Sequence, residues 1–111
     1  YEETGPIQMK TPEGNEKDEI CKYLGSIGCW YFKPMMTGFG KSGVPDIIGS
    51  YDGFFFAIEV KREGKKPTPI QELRMKKIRK AIGKTFWGTA AKVTKEFSNW
   101  KQAVDTIWEI R

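Results

Sequence analysis

The chain has 111 residues, 39% hydrophobic and 30% charged, which suits one globular domain with one modest core and leaves no room for two. Its net charge of +5 and pI of about 9.2 suit a polyanionic partner without naming it. With no histidine, His-based triads, His-ligated zinc hydrolases and nucleases with a histidine base are all excluded, so any catalysis must run on carboxylate, lysine and metal.

No apolar run approaches the roughly 20 residues of a membrane span, and no signal-peptide pattern is present, so the expectation is a cytoplasmic protein that needs no membrane. Cys21 and Cys29 lack metal-ligand or redox spacing and read as reduced packing thiols.

Residues 1–8 show no periodicity and precede Met9, so they read as an extension, with a single domain over 9–111. Thr11-Pro12-Glu13 then starts a helix: an N-cap, a proline at the first helical position and an acid in the first turn. Ile20, Tyr23, Leu24 and Ile27 supply its apolar face, and Gly28 ends it. Glu13 and Glu16 both project from about the buried side, and spacing does not choose between them as a ligand. Residues 29–36 look like a strand that Pro34 confines to an edge or a bend. The glycine-rich loop 37–43 matches G-x-G-x-x-G formally, but no strand-to-helix transition follows. It reads as a basic, backbone-exposing loop whose Lys41 and Ser42 can meet a phosphate.

Residues 43–62 form the organising stretch. Asp52-Gly53 between β-rich runs predicts a hairpin with a two-residue type I′ loop. Tyr51 then sits opposite Phe54 and, counting outward, Asp46 faces Glu59. Like charges placed roughly 4.5–5.5 Å apart across a ladder are destabilising. A hard divalent cation supplies a reason for the pair, since Mg²⁺ is commonly held by one or two carboxylates with waters and phosphate oxygens. Strand alternation puts the Lys61 ammonium on the same face, while Val60 points into a core and leaves its carbonyl near the metal position.

Residues 63–69 are a polar connector, followed by a helix over 70–82 capped by Gly83, with Ile70, Leu73, Ile78, Ala81 and Ile82 as its apolar stripe. Gln71 falls in the first turn, within reach of the carboxylates. Arg62, Lys65, Lys66, Arg74 and Lys77 belong to the most basic third of the chain and form a candidate phosphate-tracking surface. Residues 85–93 read as a further strand, and Ser98 as the cap of a last helix whose Trp100, Val104, Ile107 and Trp108 are core or dimer contacts.

Pro45-Asp46 on one hairpin strand and Glu59-Val60-Lys61 on the next, preceded by Thr37-Gly-Phe-Gly-Lys-Ser-Gly43 and followed by Thr68 and Gln71, resemble the VRR-NUC branch of the PD-(D/E)xK nucleases, and small stand-alone phage members most. The resemblance covers about residues 11–93. It implies a restriction-endonuclease-like α/β fold, a mixed sheet flanked by helices. Asp46 and Glu59 would be metal ligands assisted by the Val60 carbonyl, with Glu13 as the first-helix acid and Glu16 in reserve. Lys61 would orient or activate the attacking water and Gln71 would support the site. The cofactor implied is Mg²⁺ or Mn²⁺, with no organic cofactor. The partner it implies is branched DNA, with a Holliday junction cut by a homodimer in a bacterial or phage-infected cell as the leading expectation. Flap or other DNA cleavage, and a non-catalytic DNA-binding module of the same fold, are the alternatives.

Overall fold

A computed structural model describes residues 11–35 and 43–110 of the chain. In order these form α1 (Pro12–Ser26), β1 (Trp30–Phe32), β2 (Ile47–Tyr51), β3 (Phe54–Val60), α2 (Pro69–Lys80), β4 (Lys84–Gly88) and α3 (Ala90–Ile110). The strands lie in the order β1-β2-β3-β4. The first three are antiparallel, and β4 pairs parallel to β3 after the α2 crossover.

The hairpin is as its turn chemistry dictates. Asp52 and Gly53 sit at φ 47° and 91°, positive at both loop positions as a type I′ turn requires. The ladder runs from Tyr51↔Phe54 to Ile47↔Ile58. Helix α1 also follows its sequence signals: Thr11 caps it, with Oγ1 accepting from the Gly14 N–H at 3.0 Å, and Pro12 opens it.

One sheet face packs on α1 and α3. Ile47, Phe56, Ile58, Val60 and Phe86 meet Ile20, Leu24, Val93, Phe97 and Val104 there, all essentially without solvent exposure. Phe97 is the hub, with its ring 4.9 Å from Phe56 and 5.1 Å from both Phe86 and Trp100, mostly edge-on as aromatic quadrupoles prefer.

The other face carries Ala57, Glu59 and Trp87 and is covered by α2 on its β3–β4 half alone. On that face Trp30 and Phe32 of the β1 edge and Phe55 near the start of β3 are 66%, 51% and 45% exposed.

Four expectations are corrected. Among the described residues the strand placed over 29–36 is confined to Trp30–Phe32, an edge strand that stops two residues short of Pro34. The apolar stripe of α2 packs only at Ile78, which is half-buried: Ile70, Leu73, Ala81 and Ile82 are exposed and Met75 is its buried residue, because the helix faces the sheet with the side that carries Gln71, Met75 and Ile78. Gly83 does not supply the left-handed residue at its end. Ile82 does, at φ 69°, with Ile82 N–H on the Arg79 carbonyl and Gly83 N–H on the Ile78 carbonyl in a Schellman arrangement, where α1 uses Gly28. Residues 85–93 are not one strand. β4 stops at Gly88 and α3 begins at Ala90, so Ser98 lies inside a helix. Val93, Phe97, Trp100 and Val104 recur at helical spacing, and the Thr89 side chain accepts from the Lys92 N–H at 3.3 Å as a helix cap does.

No helix among the described residues is long and apolar enough to cross a membrane. Both cysteines are free and buried.

Candidate active site

Asp46 stands one residue before the β2 ladder begins, and the register that pairs Ile47 with Ile58 carries on to set it against Glu59. Its Oδ2 accepts the Val60 N–H at 2.8 Å, so the carboxylate continues the hairpin where the backbone pairing has stopped. Glu59 is 3% exposed. Its Oε2 accepts from the Gln71 side-chain amide at 3.0 Å and lies 4.0 Å from the Lys61 ammonium. Its Oε1 is buried with no hydrogen-bond partner among the described residues.

Gln71 is oriented from the helix start. Its Oε1 accepts the Thr68 N–H at 2.9 Å while Thr68 Oγ1 accepts the Gln71 N–H, a capping box that leaves the amide N–H₂ free for Glu59. Lys61, two residues beyond Glu59, is also buried. Burial above all, then the charge of Asp46, pushes the Glu59 carboxyl up to about 9; Lys61 works in the opposite direction and Glu13 adds a little to the rise.

The two candidate first-helix acids have different surroundings. Glu13 lines a cavity of about 220 Å³ together with Lys17, Asp46 and Val60. Glu16 is turned elsewhere: its Oε1 accepts the Ala90 N–H at 2.7 Å and caps the positive end of α3.

Among the described residues no group of three His, Cys, Asp or Glu forms a ready-made cage for a metal. Mg²⁺ needs no such cage, since one or two carboxylates with waters and phosphate oxygens suffice. The opposed Asp46 and Glu59, with one buried oxygen lacking a partner, are a donor set that fits such an ion.

Arg62, Lys65 and Lys66 are exposed on the connector after β3 and border a cavity of about 400 Å³. Lys77 is exposed on α2 and Arg74 is half-buried there. Lys41 and Ser42 lie outside the described residues. Trp87, Thr89 and Lys92, on the far wall of the same cavity, escaped the sequence reading because 85–93 read as one strand. Helical spacing from Val93 onward, with a threonine cap at Thr89, was the signal that separates them. Trp100 belongs to the core, and Trp108 is half-exposed with its indole N–H on the Asp52 carbonyl.

No protein-family model and no curated protein matches the chain. A solved structure of a VRR_NUC domain does, with a TM-score of 0.69 and 26% sequence identity, over 80% of this chain and 97% of that one. The two share an α/β architecture that here is a mixed four-stranded sheet flanked by three helices, with the opposed carboxylates at the end of its central hairpin. The chain thus has the fold of a VRR_NUC domain, an α/β fold of nuclease type.

Proposed function

We propose that the protein is a metal-dependent, structure-selective DNA endonuclease that hydrolyses phosphodiester bonds in branched DNA, with Holliday junctions as its foremost substrate and a homodimer as its working form. The observation that carries this reading is the buried Glu59 Oε1 without a partner, set opposite Asp46 and beside Lys61. A pure DNA-binding module has no use for opposed carboxylates, which repel phosphate.

Asp46, Glu59, Glu13 and the Val60 carbonyl would hold Mg²⁺ or Mn²⁺. Bound there, such an ion polarises the scissile phosphate and lowers the pKa of a water. Lys61 keeps an ammonium at the carboxylates, where it orients the attacking water and stabilises charge growing on the phosphate. Gln71 fixes the Glu59 carboxyl through a single hydrogen bond and so keeps the other oxygen free. Arg62, Lys65, Lys66, Arg74 and Lys77 track the DNA backbone. A junction needs paired cuts, which a two-fold dimer supplies. The exposed Trp30 and Phe32 on the β1 edge, with the partly exposed Phe55 on the same face of the sheet, are apolar surface suited to a second copy.

The test is cleavage of a labelled four-way junction against linear duplex and flap DNA, with Mg²⁺, with Mn²⁺ and with chelator, using wild type, Asp46→Asn and Lys61→Ala. Metal-dependent cuts paired on opposite arms, lost in both variants while binding persists, are expected. Binding without cutting in every metal would leave a DNA-binding module, and a preference for the flap would move the substrate.

A further inference from the structure

Trp87 is the register neighbour of Glu59 in the parallel β3–β4 pair, so the two side chains stand side by side on one face of the sheet. The indole is half-buried and borders the cavity of about 400 Å³ between the connector after β3 and the start of α3. Four cations surround that space, Arg62, Lys65, Lys66 and Lys92, against the single carboxylate of Glu63. Lys92 is fixed there. Its Nζ lies 3.7 Å from the centre of the Trp87 ring, donates to the Trp87 carbonyl at 2.6 Å and is 3.7 Å from Glu96.

An aromatic wall with cations around it has the chemistry of a nucleotide site: every base offers a π-face to an indole, and lysine and arginine take the phosphate. The volume falls within the range of small-ligand pockets. A duplex cannot fill it, because its bases are stacked inside the helix and present edges alone. An unpaired nucleotide can.

We infer that this cavity is a subsite for one unpaired nucleotide of the DNA strand, its base taking the place of the Lys92 ammonium on the Trp87 ring and its phosphates between Arg62, Lys65 and Lys66. The inference rests on the nuclease reading and deepens it. Trp87 borders the cavity and is the neighbour of Glu59 in the sheet, so a nucleotide held there lies next to the strand that carries this carboxylate, and the enzyme selects branch points by the unstacked base they offer.

Binding is measured by fluorescence anisotropy with chelator present, which separates it from cutting. The probes are a labelled duplex with one unpaired nucleotide and the same duplex fully paired. Wild type is expected to favour the unpaired probe. Trp87→Ala is expected to weaken that probe by about 5-fold to 100-fold, the span of base–aromatic stacking, and to leave the paired duplex unchanged. Trp87→Phe, which keeps a ring, retains most of the preference. Trp87→Leu keeps an apolar side chain on β4 without a π-face and loses it, which serves if the alanine disturbs the sheet. Lys65→Ala with Lys66→Ala, on the exposed connector, lowers the salt slope of binding by about 1 to 2. The inference is overturned if Trp87→Leu keeps the full preference or loses affinity equally for both probes. Wild type that favours the unpaired probe through Trp87 but never cuts with Mg²⁺ or Mn²⁺ upholds the subsite and sinks the nuclease reading. Cutting indifferent to every Trp87 variant does the reverse.

Discussion

Gln71 holds Glu59 by one oxygen. Its side-chain amide donates to Glu59 Oε2 at 3.0 Å and leaves Oε1 without a partner, so a residue at the start of α2 governs which face of a β3 carboxylate is free. Gln71→Ala removes both that bond and half of the capping box. It is expected to lower metal affinity or cleavage about 10-fold to 100-fold, as loss of a ligand-orienting partner does, and stability by about 1 kcal/mol. Metal titration by calorimetry and thermal melts read the two effects separately.

On the proposed reading Glu13 belongs to the metal site and Glu16 to the fold. Glu16→Leu deprives the Ala90 N–H of its acceptor and should cost about 0.5–2 kcal/mol with little change in metal binding. Glu13→Gln should weaken metal binding and leave the melting temperature nearly where it was. If Glu16→Leu abolished metal binding in a folded protein, the choice of first-helix acid would be reversed.

Ile82 occupies a left-handed conformation at 91% exposure, where a β-branched side chain gains nothing from packing. Ile82→Gly should therefore stabilise the fold by about 1 kcal/mol, a rise of several degrees in thermal denaturation, with cleavage unchanged. A lower melting temperature would show that Ile82 has a packing partner in solution.

Cys29 gives a pH test. Burial, then the Asp52 charge, pushes its thiol from an ordinary 9.0 up to about 11. The folded state holds the proton more tightly than the unfolded chain. That contribution to stability is complete below about 9 and lost as the pH rises through 11. Alkylation of Cys29 at pH 8.5, followed by mass spectrometry, should run about 100-fold slower than in denatured protein and accelerate toward pH 11.

Much of the fold was legible because its signals are local. Asp52-Gly53 set the hairpin and its register, Thr11-Pro12 opened α1, and the register alone brought Asp46 opposite Glu59, whereas Thr68-Pro69, which opens α2 with the same chemistry, was read as connector. What escaped depends on tertiary placement. Ile70 and Leu73 have helical spacing, yet α2 lies on half a sheet and turns Gln71 and Met75 inward. Glu13 and Glu16 share one face of α1, and only the docking of α3 separates them by giving Glu16 a backbone N–H to cap. Trp87 became a neighbour of Glu59 through a parallel pairing across the α2 crossover, and nothing in a sequence read strand by strand announces that.

The bond from the Val60 N–H to Asp46 joins residues 14 apart in the chain, so its loop is closed by the hairpin itself. Hairpins close in about 1–10 μs, well before distant helices dock. The carboxylate pair is thus present as soon as one contiguous stretch has folded on itself, and Gln71 and Glu13 arrive with the helices that carry them. Folding and the proposed chemistry consequently place their demands on the same residue. Removing the Asp46 side chain outright strikes both, whereas asparagine keeps an acceptor for Val60 and separates them.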